Sequence, residues 1–396
     1  MKKKKLNLKK MNQGMVKQKA TFEKICDLKT EGCLYFPRED AAGIFYCVSS
    51  NGEVFQFSDS SNEQIMTLNG MINGLCFDNN GFIYVTDLNQ CAIFFKQANT
   101  AEQSPLIENV IAKEYDGKPF KGPNSLCFNK DDNVIYFTDS GNFETASMSP
   151  FDCSLYSIDL ETRVLKQILT NLSFVYDVCY DSANSCIYLA ETFMNRILRL
   201  KQNEDGIYIT SIFYQFNGRI GPSALTVDEN GNLYVARYEY SPVEFEGELE
   251  ADGLISVINK DGIMIGELTL PELPEITGLY ISPKKRENLY VTERNSTGIF
   301  RIKISSFTID LDKYEEEAVS EEEADSFAKE INAKLFFVSA NTGDGIDQMF
   351  YSLADNYFED DFLKKVNALK KERMDSVFLS KEDMSSRKRK GHKGCC

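Results

Sequence analysis

The sequence predicts an all-β protein, a six-bladed β-propeller over residues 20–304, followed by a small α/β segment that reads helix–strand–helix. Three observations predict it: a unit repeated six times, a tyrosine recurring once in each unit, and a change of texture near Ser305. Each unit is a lead residue, a small residue, an apolar triplet, a polar turn, and a strand that ends in a short polar pair.

The first copy is weak, Glu31-Gly-Cys-Leu-Tyr-Phe followed by Gly43-Ile-Phe-Tyr-Cys-Val-Ser49. The second is Asn73-Gly-Leu-Cys-Phe-Asp-Asn-Asn-Gly-Phe-Ile-Tyr-Val-Thr-Asp87, and the third Asn124-Ser-Leu-Cys-Phe-Asn with Val134-Ile-Tyr-Phe-Thr-Asp139. The fourth is Tyr176-Asp-Val-Cys-Tyr-Asp with Cys186-Ile-Tyr-Leu-Ala-Glu191, and the fifth runs from Ser223 to Arg237. The sixth is Thr277-Gly-Leu-Tyr-Ile-Ser with Asn288-Leu-Tyr-Val-Thr-Glu293. The shared tyrosine falls at Tyr46, Tyr84, Tyr136, Tyr188, Tyr234 and Tyr290, at spacings of 38, 52, 52, 46 and 56. Short strands, Asn-Gly and Asp-Asn turns and that period suit radial blades, since a β-solenoid has a much shorter repeat. Residues 17–28 are expected to supply the outer strand that closes the last blade, and residues 1–19 read as a basic arm without expected structure.

Composition removes whole classes of chemistry. The 396 residues contain one histidine, His392, in the basic C-terminal tail, so no Ser-His-Asp triad or Cys-His pair can form within the folded body. A net charge of −16 argues against a nucleic-acid partner. Nothing apolar follows Met1-Lys-Lys-Lys-Lys long enough for a signal peptide, and no stretch approaches the apolar length of a membrane span. Cys76, Cys127 and Cys179 recur at one repeat position inside strand-like runs, which fits buried free thiols and a cytoplasmic protein.

In a propeller the innermost strand of each blade starts at one mouth of the central channel, so the lead residues Glu31, Asn73, Asn124, Tyr176, Ser223 and Thr277 are expected to converge. A carboxylate with two amide oxygens is a hard-oxygen set suited to Ca²⁺ or another divalent cation. Asn at a strand entrance also serves simply to cap a turn.

Glu31-Gly-Cys-Leu, Gly122-Pro-Asn-Ser-Leu-Cys-Phe, Tyr136-Phe-Thr-Asp-Ser-Gly141, Ala190-Glu-Thr-Phe-Met-Asn-Arg-Ile-Leu-Arg199 and Gly221-Pro-Ser-Ala-Leu-Thr-Val-Asp carry a resemblance. They resemble the regucalcin/gluconolactonase propellers and their strictosidine synthase-like relatives. That resemblance implies a central divalent cation held by Glu31 and Asn124, and a lactone- or ester-hydrolysing enzyme. Asn73, Tyr176, Ser223 and Thr277 would then meet a small-molecule ligand at the channel. The family's catalytic Asp position reads Ser223, which is no base near pH 7. Asp177, one residue beyond the ring, becomes the candidate catalytic carboxylate if a bulge turns it inward. The alternative is a non-catalytic propeller that binds or scaffolds.

After Ser305 the chain reads as helix over residues 313–331, strand over 334–339 and helix over 346–373, with a capping box at Ser320 and Glu323. Residues 305–375 resemble the last third of a Rab-type small GTPase, and residues 376–396 form a basic tail ending Cys395-Cys396. The chain has no GxxxxGK[ST] phosphate loop, so GTP binding is not expected. A basic run before a terminal Cys-Cys is the Rab double-prenylation pattern, which implies membrane attachment through Cys395 and Cys396.

Overall fold

The computed structural model describes residues 17–59, 61–98, 106–142, 151–217, 220–239 and 252–304, together with Ser326, Ala328, Lys329, Phe336, Met349, Phe350 and Ser352. The chain divides into two units, Met1–Glu316 and Glu317–Cys396. Of the helix–strand–helix expected after Ser305 only those seven residues are described, Ser326, Ala328, Lys329, Met349, Phe350 and Ser352 as helix and Phe336 in no element; the rest of it and the tail cysteines lie outside the described residues.

The first unit is the expected six-bladed propeller. Its innermost strands are Leu34–Glu39, Ile72–Phe77, Pro123–Asn129, Val175–Asp181, Ile220–Val227 and Ile276–Ile281, one per sheet. Within each blade the strands pair antiparallel in chain order from the axis outwards, apart from an N-terminal strand added at the outer edge of blades 5 and 6. In blade 4, for example, Val175–Asp181 pairs with Cys186–Glu191, then Arg196–Gln202, then Tyr208–Gln215.

Burial explains the sequence pattern. Blades pack face to face, so a strand near the axis is covered on both sides and reads apolar at nearly every position, as in Leu233-Tyr-Val-Ala. The outermost strands meet solvent and read as mixtures, as in Lys166-Gln-Ile-Leu-Thr. The repeated tyrosines fill the space between sheets: Tyr46, Tyr188, Tyr234 and Tyr290 are among the largest fully buried side chains. In blades 1 and 2 their hydroxyls are anchored on an acid of the repeat. Tyr46 Oη donates to Asp40 Oδ2 at 3.2 Å and Tyr84 Oη to Asp78 Oδ2 at 3.2 Å.

The expected closing strand divides between two blades. Phe22–Asp27 pairs antiparallel with Gly298–Lys303 and completes blade 6. Lys17–Lys19 runs parallel to Met264–Leu270 and gives blade 5 a fifth strand. Buried Ala20, whose N–H donates to Thr269 O at 2.9 Å, marks the step from one blade to the next.

Every innermost strand carries a register shift at or beside its lead residue: between Ile72 and Gly74, Pro222 and Ala224, and Ile276 and Gly278, with counterparts in the other three blades. In blades 2 and 6 the bulge brings neighbouring strands close enough to require glycine. A Cβ on Gly278 would lie 2.5 Å from Phe36 N and 2.8 Å from Phe36 Cα, so the contact that closes the ring admits no side chain there.

Candidate functional site

Pairing with the repeated tyrosines fixes which residues are equivalent. Cys76 faces Tyr84, Cys127 faces Tyr136, Cys179 faces Tyr188, Thr226 faces Tyr234 and Tyr280 faces Tyr290. In blade 1 the residue opposite Tyr46 is Arg38. Counting back three positions gives the ring of lead residues: Tyr35, Asn73, Asn124, Tyr176, Ser223 and Thr277.

Five of the six expected ring residues are therefore placed as the repeat predicts, and Glu31 is corrected. It is exposed, three residues before the strand Leu34–Glu39, in the turn that borders an open depression with Lys29, Thr30, Asn51 and Glu53. Thr30 and Ser49 both donate to Glu53, and Cys33 N donates to Ser50 Oγ at 3.0 Å, so this turn belongs to the outer rim of blade 1. Spacing carries the missed signal. Lead residue and tyrosine are 11 to 13 positions apart in blades 2 to 6, whereas Glu31 precedes Tyr46 by 15 and Tyr35 by 11.

The ring's polar groups tie blade to blade. Asn73 Nδ2 donates to Asn124 Oδ1 at 2.9 Å, and Asn124 Nδ2 to Tyr176 O at 3.1 Å. Ser223 Oγ donates to Ile276 O at 2.9 Å, and Thr277 Oγ1 to Leu34 O at 2.5 Å. Asn73 Oδ1 is buried without a hydrogen-bond partner. It is the ring's spare oxygen acceptor.

Asp177 also lies where the bulge puts it, fully buried among three blades. Ser125 Oγ donates to its Oδ1 at 2.5 Å, Val178 N to Oδ1 at 2.8 Å and Leu225 N to Oδ2 at 2.7 Å. Burial pushes its carboxyl above the ordinary range, and the charge of Arg38 with these donors offsets only part of the rise. The acids that end second strands have a parallel role. Asp139 accepts from Lys121 N and Gly122 N, and Glu191 from Ser173 N and Arg196 Nε. Glu293 accepts from Asn295 N at 2.8 Å and Glu275 N at 3.3 Å. Each clasps the loop that leads into its own blade's inner strand.

The axis is closed by aromatic rings. Phe36 of blade 1 and Tyr176 of blade 4 belong to opposite blades, yet their ring centroids are 6.2 Å apart. Tyr35 and Phe174 flank them, and Phe193 stacks on Phe174 at 5.0 Å. Phe36 holds this place with φ at 41°, the left-handed region that bulky residues avoid. Beyond it, Arg38 lies 5.2 Å from the Phe36 centroid and 5.7 Å from that of Tyr280, and its Nη1 donates to Pro37 O and Leu279 O. Burial pushes the Tyr35 hydroxyl up to about 12, so it keeps its proton at neutral pH.

This ring does not suit a divalent cation. It has no carboxylate, Asn124 Oδ1 is engaged by Asn73, and both oxygens of Asp177 are engaged by donors. Among the described residues no group of three or more His, Cys, Asp and Glu side chains is placed to hold a metal ion.

Known proteins agree with the fold. The chain is 25% identical over 284 residues to the lactonase drp35 of Staphylococcus aureus, covering 59% of this chain and 83% of that protein. It superposes on a gluconolactonase from Xanthomonas campestris with a TM-score of 0.57 at 15% identity, over 72% of this chain and 89% of the other. The calcium-binding protein regucalcin from Agrobacterium tumefaciens gives 0.58 at 14% identity, over 72% and 94%. These two likenesses speak to the fold alone. The family described as SMP-30/Gluconolactonase/LRE-like region matches residues 29–295, two-thirds of the chain, and the repeat, the closed ring and this match together make the protein a gluconolactonase- and lactonase-like member of that family.

Proposed function

We propose that this propeller receives a small lactone or ester at its ring of lead residues, and that it does so without cation-assisted hydrolysis. The observation that carries the reading is Tyr35, which stands where the family likeness expects a metal-binding glutamate. Cation-assisted ester hydrolysis needs a metal to polarise the carbonyl and a free carboxylate to activate water. The ring offers instead a protonated phenol at Tyr35 as a donor, Asn73 Oδ1 as an acceptor and the Phe36 and Tyr176 rings as apolar faces. A phenol donating to a lactone carbonyl and an amide accepting from a ring hydroxyl suit a polar cyclic ester. Regucalcin is a calcium-binding protein, and a divalent cation is what such neighbours suggest; the donor set of this ring supports binding of the organic ligand alone.

The test joins calorimetry to a pH-stat assay with glucono-1,5-lactone. Millimolar Ca²⁺ is expected to give no heat and no stimulation of lactone opening. Asn73→Ala is expected to weaken lactone binding about tenfold, the effect of losing one hydrogen bond. Calcium-stimulated turnover that disappears in Asp177→Asn would return the protein to the hydrolases.

We propose in addition that Cys395 and Cys396 attach the chain to membranes, a reading supported by the basic run Arg387-Lys-Arg-Lys390 before them. In cells fed a clickable prenyl-alcohol analogue, the wild-type chain is expected to take up label and to sediment with membranes. The Cys395→Ser/Cys396→Ser variant should do neither, and an unlabelled wild type would refute the attachment. The likeness of residues 305–396 to a small GTPase supports no nucleotide site, because the phosphate loop is absent from the sequence.

A further inference from the structure

Blade 3 departs from the repeat at the opposite end of the inner strands. In blades 1 and 2 the repeated tyrosine donates to an aspartate of its own blade, Asp40 or Asp78. The same position in blade 3 is Asn129, whose side chain is held by its own turn: Nδ2 donates to Asp132 Oδ2 at 2.9 Å and Oδ1 accepts from Asp131 N at 3.0 Å. Tyr136 shares a 2.9 Å hydrogen bond with Tyr208 on the outermost strand of blade 4. Between the two blades lies a cleft of about 270 Å³, lined by Tyr136, Tyr180, Tyr208, Asp131, Asp132 and Gln202 among others.

The rings in this cleft form a corner. Tyr136 and Tyr180 stack with centroids 6.1 Å apart and planes 28° from parallel, while Tyr208 stands at 85° to Tyr136 at 6.4 Å. Both carboxylates are exposed, at the cleft's edge. Their field reaches the rings: burial raises the Tyr180 hydroxyl, a hydrogen bond with Ser185 lowers it, and Asp132 and Asp131 raise it further; burial raises that of Tyr208, its bond with Tyr136 lowers it, and Asp132 raises it. Cys186 also lines the cleft; burial raises its thiol, a hydrogen bond with Tyr188 lowers it, Asp181 raises it, and Lys201 and Arg199 lower it.

We propose that the cleft between blades 3 and 4 binds an organic ammonium ion, a quaternary or methylated amine. Aromatic faces set at an angle attract a cation through their quadrupoles, and carboxylates at the edge add attraction that a neutral ligand of the same shape does not feel. A bare metal ion is the weaker candidate, since two adjacent aspartates with aromatic walls lack the oxygen count that calcium takes. The volume suits one small head group.

Titrating the full chain with choline, and separately with its neutral isostere 3,3-dimethylbutan-1-ol, tests the proposal by calorimetry. Choline should bind saturably, weaken as salt is raised, and exceed the neutral isostere by about tenfold or more. Tyr208→Ala should cost about tenfold in choline affinity, whereas Tyr208→Phe, which keeps the ring and loses only the tyrosine–tyrosine hydrogen bond, should retain it. Circular dichroism confirms that each variant is folded. Asp131→Asn/Asp132→Asn should remove most of the salt dependence, and Asn73→Ala, in the distant ring, should leave choline binding unchanged. Equal binding of the two isosteres, no saturable binding of choline, or equal losses in Tyr208→Phe and Tyr208→Ala would each overturn it.

Discussion

Replacing Asp177 by alanine is expected to weaken the propeller by about 3 kcal/mol or more, measured by urea unfolding. Its carboxylate accepts from Ser125 in blade 3, from Val178 in its own blade 4 and from Leu225 in blade 5, with no exposure to solvent. Alanine leaves a buried hydroxyl and two buried amides without partners, at the seam of three blades. The loss should also depend on pH. Burial raises the folded-state value above the ordinary aspartate value, so the native protein holds this proton to higher pH than the unfolded chain does. The group's stabilising contribution is therefore full below about 3.8 and declines as pH climbs through the folded-state value. Alanine should cost more at pH 4 than at pH 7. A loss under about 1 kcal/mol would mean that Asp177 is not a clamp, and the reverse trend would mean that its donors and Arg38 outweigh burial and hold it ionised.

The contrast between Asp177 and Glu31 shows what a repeat reveals and where it stops. Blade number, the axial strands and the convergence of Asn73, Asn124, Tyr176, Ser223 and Thr277 were all legible, because the tyrosine and the apolar triplet recur as packing requires. Blade 1 was misaligned because its copy breaks the rule at three places at once. Phe36 stands where blades 2 and 6 carry Gly74 and Gly278, Pro37 where they carry Leu75 and Leu279, and Arg38 where blades 2 to 4 carry a cysteine. Matching Glu31-Gly to Asn73-Gly preserved the local letters and gave up the distance to Tyr46. Register in a sheet is set by pairing along the whole strand, so that distance was the stronger evidence. The roles of the strand-end acids Asp139, Glu191 and Glu293 are hidden from the sequence for a related reason. Sequence shows a charge at a strand end, whereas the clasp forms with backbone amides 17 or 18 residues away.

Phe36 supplies the second large effect, because one side chain closes the axis and does so from a strained backbone. Phe36→Ala is expected to cost about 3–5 kcal/mol, the usual range for emptying a buried phenylalanine site. The ring is 1% exposed, packs on Tyr176 across the axis and carries Arg38 against its face. Glycine at the same position loses the same contacts, yet its φ of 41° suits glycine and strains alanine. Phe36→Gly should therefore be more stable than Phe36→Ala by roughly 1 kcal/mol, the reverse of the order expected inside a regular strand. Both variants should bind lactone about tenfold more weakly, since both remove the same aromatic face, while their stabilities differ. Unfolding midpoints in the order phenylalanine, glycine, alanine would tie the closure of the channel to a left-handed residue. If alanine equals or exceeds glycine, the backbone at Phe36 is unstrained and the aromatic closure is ordinary core packing.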